Sequence, residues 1–534
     1  MKFDFIKTGV AAFIVSGTLA ACTKDLNRYP TNEITAEQVY SSFSGYQQAF
    51  AKVYGSYATT GNIGATGAND LQGVPDEGNH SDFLRTYFYA QELPTDEALY
   101  TWGDAGLPDF HRMSWSADNP ILKGLYYRSF FQITLANDFM RQAADDKLSS
   151  RGISGAEAEQ VRSFRNEARF LRAFQYWVQM DLFGNPPFVK ETDPIGSTLP
   201  PQIQRKDLFN YLETELKELE GVLPAAKTNA YGRADKAAAW ALLARMYLNA
   251  KVYTGTERYT DAITYAKKVI DAGYSLIPDY RHLMLADNHL NKDEFILTIN
   301  YDGSRTQSFG GTSAIVHGSI IDGVMSPTPF GIGSGWSLFR TTKNLPNLFP
   351  DYSGTADKRA QFFQQTLEIT DIGTKEQGFA VTKYRNVTRT GAPAPNQDIA
   401  KEFADIDFPL FRLPEMYLIY AESVLRGGTG GDVATAVNYI NLLRTRAYGN
   451  ASGNITAAQL STDFVLDERG RELYWEGHRR TDLIRYNRFV EGTYLWPWKG
   501  GVANGRGVES YRILYPIPSA DVTANPNLKQ NTGY

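Results

Sequence analysis

Cysteine is all but missing: Cys22 is the only one in 534 residues. No disulfide can form within the chain, and a cysteine-based metal cluster is ruled out. Histidine is scarce as well. His80, His111, His282, His289, His317 and His478 make no H-E-x-x-H or other close ligand pair, which argues against a transition-metal site. A basic run is lacking too: 54 Lys and Arg against 59 Asp and Glu leave a net charge of −5, so nucleic acid is not an expected partner. The apolar run at residues 9–15 is too short to span a bilayer.

What the chain has instead is helical periodicity. In residues 234–272, Ala237, Trp240, Ala241, Ala244, Tyr247 and Leu248 recur at three- and four-residue steps, as do Ala262, Ile263, Ala266, Val269 and Ile270. That spacing predicts two amphipathic helices in succession. Trp240-x2-Leu243-Ala244-x2-Tyr247 fits the tetratricopeptide pattern in part, with Ala where two helices close on each other, although the connecting loop is longer than that repeat allows. One such pair cannot bury its apolar face alone. Further helices are expected at residues 161–182 with 208–223, at 413–426 with 433–446, and at 123–144. The fold expected is therefore mainly α: a tetratricopeptide-like scaffold of helical pairs carrying long irregular, partly β insertions. Length alone would suit about three to four domains. The helical pairs are spread along the whole chain, however, so one body is expected over residues 35–534.

Residues 1–21 read as a signal peptide, with Lys2 and Lys7 ahead of the apolar run. Leu19-Ala20-Ala21-Cys22 resembles the bacterial lipobox, in which cleavage before the cysteine leaves Cys22 to be acylated and anchored. Residues 22–34 form a polar tether. A first helix is expected over residues 35–57, with Val39, Tyr40, Phe43, Tyr46, Phe50, Val53 and Tyr54 on its apolar side. Residues 58–75 are rich in Gly, Asn and Thr, residues 76–115 are aromatic with little helical period, and residues 303–336 form a glycine-rich insertion. Loops borne on a rigid scaffold are where binding residues usually sit.

The lipobox, the helical pairs, the stretch RGRELYWEGHRRTD at 469–482 and the ending YPIPSADVTANPNLKQNTGY at 515–534 together resemble the SusD/RagB family of Bacteroidetes outer-membrane lipoproteins. The resemblance covers essentially the whole chain. Within the family, the stretches ELPTDE (92–97), YGRADK (231–236), NAKVYTG (249–255) and YLWPWKGGVANG (494–505) look like those of its starch binder. The resemblance implies a non-catalytic, lipid-anchored protein of the outer-membrane surface. Such a protein captures starch or malto-oligosaccharides and delivers them to a SusC-like TonB-dependent transporter. It also implies glycan-binding insertions around residues 58–115 and 300–410, and no cofactor.

A sugar ring offers C–H groups to an aromatic face and hydroxyls to fixed donors and acceptors. By the resemblance, Tyr100, Trp102 and Trp336 match the starch binder's aromatic platforms, while Asp76 and Arg85 match its hydroxyl-gripping carboxylate and guanidinium. The spacing of that pair is one residue longer here. Phe309 stands where the starch binder has a tyrosine, and Asp104 or Ala105 falls where an asparagine is expected. Core packing for the aromatics and a plain surface ion pair for Asp76 and Arg85 are the competing readings. The charges from Glu468 to Asp482 alternate at helical spacing and read as a structural ion-pair lattice, with a transporter-facing surface as the alternative. Asp287, Asn288, Asn291, Asp293 and Glu294 concentrate hard oxygen ligands that would suit calcium. The EF-hand glycine and spacing are missing, so a solvated loop is expected. Two other function classes stay open: a glycosidase, which needs two carboxylates about 5 to 9.5 Å apart, and a transporter-assembly scaffold that binds no glycan.

Overall fold

A computed structural model describes residues 35–65, 69–74, 78–196 and 199–534. The signal segment 1–21, Cys22 with the tether 22–34, and Asp76 lie outside the described residues. The expected first helix is split. A short turn of helix, Ala36–Val39, is followed by α1, Phe43–Gly55, whose N-cap Ser42 accepts from Gly45 N. A Cβ on Gly45 would stand 1.7 Å from Val39 O, so only glycine lets the two pieces meet this closely.

The remaining long helices follow in order: α2 (Phe83–Glu92), α3 (Pro120–Gln142), α4 (Gly155–Leu182), α5 (Arg205–Val222), α6 (Lys236–Leu248) and α7 (Tyr259–Ile270). α3 to α7 each pack on the helix before them, and α1 lies across α3 and α4. Ala237, Ala241, Ala244, Ala262 and Ala266 are fully buried, which is what small residues at the α6–α7 contact were expected to allow. Asp235 caps α6 by accepting from Ala237 N at 2.8 Å. Trp240 is half-buried and bridges to α5, donating from Nε1 to Glu220 at 3.1 Å. No helix among the described residues is long and apolar enough to cross a membrane.

Strands are few and short. They hold the insertions to the helical body as three antiparallel pairs: β1 (Leu99–Tyr100) with β3 (Phe339–Arg340), β2 (Phe295–Ile299) with β6 (Phe408–Arg412), and β4 (Phe362–Phe363) with β5 (Ala380–Val381). Between β2 and β3 lies α8 (Gly311–Ser319), and the C-terminal part adds α9 (Leu413–Leu425), α10 (Val433–Tyr448), α11 (Thr462–Leu473) and α12 (Arg479–Arg485). Sequence periodicity misses α2 and α8. Both lie in stretches that read as irregular, the aromatic 76–115 and the glycine-rich 303–336, and every residue of both is buried.

The stretch 468–482 is a lattice of buried charges, but not one helix. α11 ends at Leu473, Trp475 takes a left-handed φ of 62°, and α12 starts at Arg479. Trp475 is held in that conformation by Glu97, which accepts from its backbone N and its Nε1, both at 3.1 Å. Arg412, at the end of β6, reaches Glu472 and Glu476, each at 2.6 Å. Arg446 on α10 meets Glu294 at 3.0 Å and Glu472 at 2.5 Å, and Arg359 meets Asp357 at 2.7 Å and Glu468 at 2.8 Å. Burial alone would raise the Glu472 carboxyl, yet the Arg446, Arg412 and Arg359 guanidiniums overcome it and hold the group at about 2. The same lattice takes up Glu294 from the supposed calcium loop. Asp287 is bound by Arg389 at 3.0 Å, Asn288 by the backbone of residues 283 and 407, and Asp293 by Lys227 at 3.0 Å. That stretch is thus mostly buried framework and not a solvated loop. Among the described residues, no group of three or more His, Cys, Asp or Glu is placed to hold a metal ion.

Removing one member of such a lattice strands buried charge. Arg412→Met is expected to lower unfolding free energy by about 3 to 5 kcal/mol in urea titrations. A change below about 1 kcal/mol would mean that the lattice adds nothing to stability.

Candidate functional site

The site is built where α2 meets the start of α8. Asp82, the N-cap of α2, accepts from Arg85 N at 2.9 Å, as helix capping requires. The same carboxylate also reaches across the chain, accepting from Gly311 N at 2.9 Å and from Ser308 Oγ at 3.0 Å. A Cβ on Gly310 would stand 2.0 Å from Asp82 Cγ, so the clamp depends on glycine there. Burial raises the Asp82 carboxyl, and the backbone N–H groups of Arg85 and Gly311 oppose that rise.

This clamp sets Phe309 beside Arg85. Arg85 donates from Nε to Tyr89 OH at 2.6 Å and from Nη1 to Phe309 O at 2.7 Å, and its guanidinium lies 5.9 Å from the centroid of the Trp336 ring. Phe309 and Trp336 stand 6.4 Å apart at 54°. One side of Trp336 is stacked on His317 at 4.5 Å, and its backbone N donates to His317 O at 2.8 Å. Burial lowers the His317 pKa, which keeps the ring neutral, and Nδ1 sits 2.7 Å from Ser334 O. Trp102 joins from the other side: it is 41% exposed and donates from Nε1 to Trp336 O at 3.2 Å.

Arg85, Trp102, Phe309 and Trp336 are therefore brought together. Tyr100 is not a platform as expected. It is 2% exposed, its ring packed against Tyr89 and Phe339 at 6.0 and 5.9 Å. Residues at i and i+2 share a face only while a strand continues, and β1 ends at Tyr100, so the chain turns and sends Trp102 outward alone. Tyr100 keeps one link to the surface: its hydroxyl donates to Asp104 at 2.6 Å. Asp104 and Ala105 are both exposed beside it.

Sequence reasoning passed over Asp82 and His317. The signal for Asp82 is an N-cap residue ahead of Phe83, but capping is recognised only where a helix is expected, and the aromatic stretch 76–115 reads as irregular. His317 is hidden in the same way inside α8. Of the carboxylates near the patch, Asp82 is engaged by the clamp and Asp104 by Tyr100.

The SusD family model matches residues 356–534. Over the full length of both chains, this protein is 34% identical to the starch-binding protein SusD of Bacteroides thetaiotaomicron. The chain belongs to the SusD family. Another SusD-family relative, the SusD-like protein P2 of Formosa agariphila, is 23% identical over 97% of each chain. Among solved structures, surface glycan-binding protein A of Bacteroides fluxus superposes with a TM-score of 0.69 over 92% of this chain and all of its own, at 20% identity. The namesake from Bacteroides thetaiotaomicron, in complex with laminarihexaose, gives 0.67 at 21% identity over 91% of this chain and 99% of its own. The mainly helical SusD-family fold is thereby shown.

The clamp makes a direct prediction. Asp82→Ala should destabilise the protein by about 1 to 2 kcal/mol through the lost cap and the loop donors left without an acceptor, with Asp82→Asn less affected. Thermal unfolding of both variants checks this, and an unchanged melting temperature for Asp82→Ala would show that the loop is held by something else.

Proposed function

We propose that this SusD-family protein captures starch or malto-oligosaccharides on the cell surface and hands them to a SusC-like TonB-dependent transporter. The observation that carries the glycan is the juxtaposition of Trp102, Phe309 and Trp336 with the Arg85 guanidinium. Aromatic faces set at angles to one another suit the successive rings of a coiled α-1,4-glucan. In this reading Asp76 and Arg85, which is 7% exposed and holds Phe309 O, grip the sugar hydroxyls, and Tyr100 supports Asp104 from behind. The starch-binding relative at 34% identity favours the α-glucan. The laminarihexaose complex of a structural neighbour makes a β-1,3-glucan the second reading.

Each aromatic face contributes on the order of 1 kcal/mol. Trp102→Ala or Trp336→Ala should therefore weaken binding of maltoheptaose several-fold, and the double variant should abolish it. Calorimetric titration with maltoheptaose, a cyclic α-glucan and laminarin decides between the readings. Indifference to both α-glucans, or parental affinity in the double variant, would overturn the α-glucan site.

Anchoring through acylated Cys22 completes the proposal, since a surface capture protein must stay beside its transporter. Cys22→Ala is expected to move the protein out of the outer-membrane fraction and to abolish its co-purification with the barrel from intact cells. Unchanged partitioning would rule out the lipobox.

A further inference from the structure

A cavity of about 320 Å³ opens between the turn Thr328–Phe330, strand β4 and the chain just after β5. Arg281, Arg385, Phe330, Phe362, Phe363 and Gln361 line it. None of these belongs to the aromatic patch around Trp336.

Arg385 is the unusual member. Its backbone is fixed by a hydrogen bond from its N to Met284 O at 3.0 Å, but its side chain makes no ion pair or hydrogen bond among the described residues. Its Nε is buried without an acceptor. The Nε atoms of Arg172, Arg340, Arg446, Arg480 and Arg512 share that state, but those guanidiniums donate through their other N–H groups, whereas Arg385 donates through none among the described residues and keeps its whole fork for a ligand. The second guanidinium, Arg281, is bound by Asp279 at 2.6 Å and is 52% exposed. Burial first, and then the charge of Arg281, lower the Arg385 pKa, while the Asp279 carboxylate opposes that fall. Lys358 also lines the wall, but its Nζ lies 3.0 Å from where a Cβ on Gly449 would stand, at the C-terminal end of α10. Its charge therefore serves the helix terminus. The opposite wall is aromatic, and Phe363 is 36% exposed.

Paired guanidiniums recognise planar or tetrahedral oxyanions through forked N–H groups, and an exposed phenyl face accepts the C–H side of a ring. We propose that this cavity is a second binding site, for a sugar ring that carries a carboxylate or sulfate, with Arg385 and Arg281 on the oxyanion and Phe363 under the ring. The site does not depend on the α-glucan reading of the aromatic patch.

Calorimetry or ligand-observed NMR on the whole protein at low salt, with glucuronate, glucose 6-sulfate, glucose and inorganic sulfate as probes, tests this. One or both charged sugars should bind, at least tenfold more tightly than glucose and than inorganic sulfate, and the affinity should fall on adding salt. Which charged sugar binds better identifies the oxyanion. Arg385→Gln should weaken binding tenfold or more, Arg385→Lys less, and Arg281→Gln several-fold. Arg281 is exposed enough that its variant reports on the site even if Arg385→Gln fails to fold. The Trp102→Ala, Trp336→Ala double variant should bind the charged sugars as the parent does. The proposal is overturned if the charged sugars bind no better than glucose, if inorganic sulfate matches them, if both arginine variants keep parental affinity, or if the tryptophan double variant loses this binding.

Discussion

Glu472 is the point on which distant parts of the molecule converge. It accepts from Arg412 at the end of β6, from Arg446 on α10 and from Arg359 in the insertion between β3 and β4. An isolated buried carboxylate would be strongly disfavoured, and it stays ionised only because three guanidiniums face it. That mutual dependence makes the lattice specific: any arrangement that leaves one segment out of place strands a charge in the interior. In a chain with a single cysteine, these buried pairs occupy the cross-linking role that disulfides fill in many secreted proteins.

The lattice also supports the aromatic patch. After α11 the chain turns at Trp475, whose backbone and indole N–H groups bind Glu97. Two residues further on is β1, which pairs with β3, and Phe339 of β3 packs on Trp475 at 5.9 Å, on Tyr100 at 5.9 Å and on Phe88 at 5.3 Å. Trp102 follows directly from this cluster. On the other side, Asp82 draws Ser308 and Gly311 onto the end of α2, which places Phe309 and Trp336 beside Arg85. The aromatic side chains of the patch therefore sit on irregular segments and Arg85 on α2, each fastened to buried framework, as preorganised recognition would demand.

Position in the family and position on the fold explain different things. Kinship to a starch-binding protein at 34% identity fixes the family. How Trp102, Phe309 and Trp336 stand around the Arg85 guanidinium, and how Arg281 and Arg385 come to line one cavity, is read from the fold.

The helical pairs were legible in the sequence because half-buried helices carry their orientation in a 3.6-residue period, and α3 through α7, α9 and α10 lie within a few residues of the expected bounds. The near-absence of cysteine and the alternating charges of residues 468–482 likewise announced a core without disulfides and rich in ion pairs. Local pattern could go no further. It missed α2 and α8 because both are short and lie within aromatic and glycine-rich stretches, and it placed Tyr100 beside Trp102 because it could not see β1 end between them. It could name Arg85 and Phe309 but not join them, since that hydrogen bond spans 224 residues of sequence. Which aromatic faces solvent, and which carboxylate each arginine meets, depend on the path of the whole chain, and only the tertiary structure decided them.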